Sequence, residues 1–301
     1  MATIFSVSNQ KGGVGKTTTA VNIAAFCSIQ GIKTLLIDLD PQGNATSGIG
    51  VDRNNLESST YEVLFSEIPI KEAILNTEYK NLFILGANSH LAAAEIELID
   101  KDEREFVLGK LLNEIKNDFE LIIIDCPPSL GLLTINALSA SQKLIIPLQC
   151  EYYALEGLGQ LLSTFKLVEE KLNPNIEIGG VVLTMADFRT NLTQQVIEEV
   201  KNYFGVKTFQ TVVPRSVKIS EAPSFGKPAI VYETQSRASK AYLEVGREFM
   251  ERFGLHKQIE KQTEEQNSEK QIPEAGQAPA ETTPAEPIAR EPVAESESVN
   301  Q

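Results

Sequence analysis

One stretch, Gln10-Lys11-Gly12-Gly13-Val14-Gly15-Lys16-Thr17-Thr18, constrains this chain more than any other because of what flanks it. Ile4 to Val7 is a short apolar run that predicts a strand. Thr19 to Gln30 carries Ala20, Ile23, Ala24, Phe26 and Cys27 at helical spacing and stops at Gly31. Glycines at a strand-to-helix turn let the backbone take positive φ and bring N–H groups close to an anion, and the helix start adds the positive end of its dipole. The turn predicts a cradle for a phosphate chain.

The standard P-loop runs Gly, four residues, then Gly-Lys-Ser/Thr, which would put glycine at position 10, where this chain has Gln10. A second lysine, Lys11, stands five residues before Lys16. Two lysines so placed do not easily serve the same phosphate oxygens from one subunit, which leaves Lys11 free for a neighbouring nucleotide. The run Lys11 to Thr18 resembles the deviant Walker A motif of the ParA/MinD group of P-loop ATPases.

Two further apolar runs end in acid. Lys33-Thr34-Leu35-Leu36-Ile37 reads as a buried strand delivering Asp38 and Asp40 to its carboxyl end, the edge where open α/β sheets bind ligands. Leu121 to Ile124 followed by Asp125 has the uninterrupted pattern of a strand buried on both faces of a parallel sheet, and reads as Walker B. A carboxylate there suits Mg²⁺, which prefers oxygen ligands. Pro127-Pro128 cannot continue a strand, so Cys126 to Gly131 is expected to be a loop near the terminal phosphate and a candidate switch.

Further strands are expected at Leu82–Leu85, Leu144–Leu148, Ile178–Leu183 and 208–213. Helices are expected at 61–65, 72–76, 91–98, 106–115, 155–172, 191–204 and 239–253, with residues 47–60 as loop. This alternation predicts an α/β fold, a mostly parallel twisted sheet with helices on both faces. The three cysteines, Cys27, Cys126 and Cys150, are widely spaced with no CxxC pair, which argues against a disulfide framework or a structural zinc site and fits a reducing cytoplasm. No basic leader and no apolar run of membrane-spanning length is seen, so a soluble, unexported protein is expected.

Charge is unevenly spread. The net charge is −14, yet residues 188–254 hold 10 Lys and Arg against 7 Asp and Glu, whereas residues 1–187 hold 13 against 24. From about Leu255 the chain turns to Gln, Glu, Ser, Ala and Pro with few large apolar residues, so 255–301 is expected to be a disordered acidic tail behind an ATPase domain at 1–254.

The segments 38–46, 125–131, 149–157 and 220–224 narrow the resemblance to the chromosomal ParA (Soj) branch, over roughly residues 2–254. The resemblance implies ATP and Mg²⁺ as cofactors and a cytoplasmic, nucleoid-associated ATPase. It further implies an ATP-driven homodimer in which Lys11 reaches the other subunit's nucleotide. That dimer would bind double-stranded DNA without sequence preference and release it when a ParB-type partner stimulates hydrolysis. Lys11, Gly12, Gly13, Val14, Gly15, Lys16, Thr17, Thr18 and Pro214 are then nucleotide contacts, and Lys11, Lys16 and Asp40 catalytic, with Asp40 orienting the attacking water. Thr17 and Asp125 hold the metal, and Arg189 and Lys218 match positions used for DNA contact. A MinD-like membrane-associated positioning ATPase is the alternative, but it needs a basic amphipathic helix near the C-terminus, where this chain has Pro and Glu. An iron-protein-like reductase would need clustered cysteine ligands, and a scaffold without catalysis would lack Asp40.

Overall fold

The computed structural model describes residues 1–151 and 154–255; the expected acidic tail, apart from its first residue, the buried Leu255, and the tyrosines of the 149–157 segment lie outside the described residues. Seven strands form one sheet: β1 Thr3–Val7, β2 Thr34–Asp38, β3 Ile74–Asn76, β4 Leu82–Leu85, β5 Leu121–Asp125, β6 Lys143–Gln149 and β7 Glu177–Thr184. Their order is β3-β4-β2-β5-β1-β6-β7, and all neighbours are parallel except the β3–β4 pair.

The apolar runs are continuous because both faces of the sheet are covered. Phe5, Val7, Leu36 and Ile123 point to one side, against the helix Lys16–Ile29 (α1) and the last helix, Arg237–Phe253. Their strand neighbours Ile4, Leu35, Ile37, Ile122 and Ile124 point to the other, against Val107–Leu112 and Leu132–Ala140. Adjacent strand residues must face opposite ways, so one run of aliphatic side chains seals two cores. Leu144, Ile146, Leu148, Val181 and Leu183 build a third packed region with the helices Ala154–Lys171 and Asn191–Phe204.

Several local expectations are corrected. Residues 72–76 are not one helix: Ile70–Ala73 is a helical turn and Ile74–Asn76 leaves it as the antiparallel edge strand. No continuous strand forms at 208–213. Phe209 and Val213 bond to Val181 and Leu183 of β7, but the N–H groups of Gln210 and Thr211 turn away to the Glu248 carboxylate. Residues 91–98 form a broken run of 3₁₀ and α turns over 89–100, and Ser47 and Gly48, expected as loop, close a short helix, Asn44–Gly48. The loop expected at 126–131 is present and runs into Leu132–Ala140. The three cysteines are buried free thiols, and among the described residues no helix is long and apolar enough to cross a membrane.

Candidate functional site

The glycine turn sits at the carboxyl edge of β1, in the middle of the sheet. Gly13 (φ 72°) and Gly15 (φ 89°) occupy the left-handed region, where a side chain would strain the backbone, and α1 begins at the very next residue, Lys16. Helix formation thus starts three residues earlier than apolar periodicity predicted, because periodicity is blind to the Lys-Thr-Thr first turn.

The loop is held from three sides. The Lys11 N–H donates to Asn9 Oδ1 at 3.0 Å, and Asn9 Nδ2 donates to the Pro147 carbonyl at 2.8 Å. Thr184 Oγ1, at the tip of β7, donates to the carbonyl of buried Val14 at 2.8 Å. Lys16 Nζ donates to the Lys11 carbonyl at 3.0 Å, folding the side chain back across the turn. Behind it, Thr19 Oγ1 and the Tyr242 hydroxyl share a 3.1 Å hydrogen bond that ties α1 to the last helix. Gly12 and Gly13 stay exposed, and Thr17 and Thr18 are half-buried on the open side of the first turn.

The two acidic strand ends meet beside this loop. In the β2–β5 register Asp38 is paired with Asp125, which brings two fully buried carboxyl groups together. Asp38 is built into the fold: its Oδ2 accepts from the Thr46 N–H and hydroxyl, both at 2.8 Å, and its Oδ1 from the Asp40 N–H at 3.1 Å. Burial outweighs those bonds and pushes its pKa up to about 6. Asp125 has neither oxygen hydrogen-bonded. Burial first, then the neighbouring Asp38 charge, raises it well above the usual carboxylate range, opposed by the Thr17 hydroxyl that faces it and by Lys16. Lys16 is itself buried, which lowers its pKa against the attraction of Asp125, Cys126 and Asp40. The free carboxylate lone pairs of Asp125 and the Thr17 hydroxyl beside them are oxygen donors of the kind a hard divalent cation takes, with the Lys16 ammonium placed to meet anionic phosphate rather than the metal.

Asp40 lies two residues beyond β2 and is nearly buried, its Oδ1 accepting from the Gln42 N–H at 2.9 Å. Pro214 pairs with Ala186 just past the end of β7, on the same edge of the sheet. A cavity of about 210 Å³ opens against α1, lined by Thr17, Thr18, Val21, Asn44, Ile219 and Pro223, so the segment after Lys218 packs beside the first turn of α1.

Two residues that sequence reasoning gave no role, Glu151 and Arg215, also belong here. Glu151 stands just past the end of β6, 3.3 Å from Lys11 Nζ and 2.9 Å from an Arg215 terminal nitrogen. Nothing in their spacing along the chain indicates this meeting, since parallel crossovers bring together residues 140 and 64 positions apart. The expected DNA contacts are not bare charges. Arg189 makes a two-pronged ion pair with Asp187, at 2.8 and 2.6 Å, which holds that carboxyl down to about 2. Lys218 pairs with Glu221 at 2.9 Å. Exposed Phe188 and Val217 stand next to these two cations.

A family model described as an AAA domain matches residues 2–178. The chromosome partitioning protein ParA of Myxococcus xanthus (strain DK1622) is 51% identical over 249 residues, covering 83% of this chain and 88% of that protein. The sporulation initiation inhibitor protein Soj of Bacillus subtilis (strain 168) is 52% identical over 248 residues, covering 82% and 98%. Among solved structures, cobyrinic acid a,c-diamide synthase from Mycobacterium smegmatis, with bound ADP and magnesium, superposes with a TM-score of 0.72 at 36% identity, covering 82% of this chain and 93% of that one.

Proposed function

The chain belongs to the ParA/Soj family of chromosome-partitioning ATPases, and on that premise we propose that it is a Mg²⁺-dependent ATPase whose ATP-bound homodimer holds DNA. The observation that carries the reading is the unpartnered, buried Asp125 carboxylate beside Lys16 and the positive-φ glycine turn. Such a group is costly to the folded chain unless a cation completes it.

The N–H groups of Gly13 to Thr18 cradle the phosphates, with Lys16 on the β and γ oxygens and Thr18 toward the α-phosphate. Thr17 and Asp125 hold Mg²⁺, which offsets charge as the terminal phosphoryl group departs. Asp40 orients the attacking water, two residues beyond the structural carboxylate Asp38. Pro214 flanks the nucleotide from the β7 side. Lys11 serves the nucleotide of the other subunit, as an arginine finger does.

Residues 1–254 form the ATPase domain. Arg189 and Lys218 meet phosphates of duplex DNA without reading bases. Because each is paired to a carboxylate in its own chain, one subunit binds too weakly, and the ATP dimer, which doubles the cations, is the DNA-holding form. A ParB-type partner stimulates hydrolysis and release, and the protein is cytoplasmic and nucleoid-associated.

Calorimetry and phosphate release test the assignment. Wild type binds Mg²⁺-ATP, Lys16→Ala loses binding, and Asp40→Ala keeps binding but loses hydrolysis. Unchanged binding in Lys16→Ala, or undiminished turnover in Asp40→Ala, overturns it.

A further inference from the structure

Lys11 is engaged at both ends. Its N–H is fixed by Asn9 and its carbonyl by Lys16, so the backbone is pinned and only the side chain is free to swing. That side chain is held within its own chain by Glu151. Glu151 divides its two oxygens: Oε2 faces Lys11, while Oε1 accepts from Arg215 at 2.9 Å and from Gln149 Nε2 at 2.6 Å. The nearly buried Gln149 gives the carboxylate a fixed support, and the Glu151 N–H returns to the Gln149 carbonyl at 2.8 Å.

We propose that Glu151 is a latch that holds Lys11 in cis and so sets the threshold for ATP-driven dimerisation, with Arg215 tuning its strength. The inference rests on the in-trans role of Lys11 proposed above. A lysine committed to Glu151 reaches a second subunit only by giving up that ion pair, so the pair competes with the dimer. Arg215 draws on the same carboxylate, which weakens the hold on Lys11 and keeps Glu151 paired after Lys11 leaves. Lys11 and Glu151 are 33% and 43% exposed, which makes this a solvent-screened pair. Pairs of that kind shift an equilibrium by roughly two- to five-fold.

The test uses the full chain in an Asp40→Ala background, where ATP persists, with dimer measured by sedimentation velocity against ATP concentration and no DNA present. Glu151→Gln keeps an acceptor for Gln149 and removes the charge. It is expected to reach half-maximal dimer at roughly two- to five-fold lower ATP, within the range for screened pairs. Arg215→Gln leaves Lys11 as the only cation on Glu151 and is expected to shift the curve the opposite way. Opposite signs at two contacting residues are not the result of a general loss of structure. An unchanged or higher requirement in Glu151→Gln overturns the latch. If Lys11→Ala in the same background dimerises like its parent, the in-trans reading itself fails. If Lys11→Ala loses the dimer while Glu151→Gln is unchanged, only the latch fails.

Discussion

Asp125 offers the sharpest separation of function from stability. Its side chain is fully buried, neither oxygen has a hydrogen-bond partner, and Asp38 stands opposite it in the strand register. Asp125→Asn removes the charge at nearly constant volume, and the new amide N–H groups face the Asp38 carboxylate, which has lone pairs to spare. Leaving a buried polar group unsatisfied costs about 1–3 kcal/mol and more when it is charged, so the variant should be more stable by at least about that amount in EDTA at pH 8. For a domain of this size that is a rise in Tm of roughly 2–12 °C. The sign also follows pH. Because the folded carboxyl holds its proton more tightly than the unfolded one, the stability that proton brings is present at low pH and is lost as pH rises through the raised folded pKa. The advantage of Asp125→Asn should therefore shrink toward pH 5. Adding Mg²⁺-ATP should reverse the order, stabilising wild type and leaving the variant unmoved. Thermal unfolding under these three conditions checks the whole argument. A variant less stable than wild type in EDTA at pH 8, or an advantage that does not shrink with falling pH, refutes it.

The raised Asp125 carboxyl also predicts that Mg²⁺-dependent nucleotide binding weakens by up to about tenfold per pH unit below its pKa, because the cation must displace a proton. Equal affinities by calorimetry at pH 8 and pH 5.5 would contradict that. Gly43→Ala, at φ 59° and with a Cβ 2.6 Å from the Ala87 carbonyl, should lose about 2 kcal/mol or more of urea stability by displacing the turn behind Asp40; a wild-type urea midpoint would be the refuting result. The pair Arg189→Glu and Lys218→Glu should abolish DNA binding and spare ATP-driven dimerisation. A retained shift of nonspecific duplex at low salt would move the DNA surface elsewhere.

Much of this fold is written in short local signals. Apolar runs closing in Asp38 and Asp125 gave the central strands nearly to the residue, since a strand sealed on both faces has no freedom to be polar. The glycine turn likewise announced its own backbone, because Gly13 and Gly15 stand where positive φ is required. The remainder was hidden for physical reasons. Residues 208–213 have strand-like composition but lose their ladder to one distant carboxylate, Glu248. The split of labour between Asp38, a structural acceptor for Thr46, and Asp125, an open carboxylate, depends on which lone pairs are already filled. The pairing of Arg189 with Asp187 joins residues two apart, a local partner that the net charge of the whole segment does not reveal.

The central claim is that ATP switches the chain into a DNA-holding dimer. The most direct measurement is the binding of a nonspecific duplex to the purified protein with Mg²⁺-ATP, with Mg²⁺-ADP and without nucleotide, titrated with salt by fluorescence anisotropy. Binding is expected with ATP alone, with a log-log salt slope of about −3.6 if Arg189 and Lys218 of both subunits neutralise four phosphates. Equal binding in all three states, or none with ATP at low salt, would contradict the account.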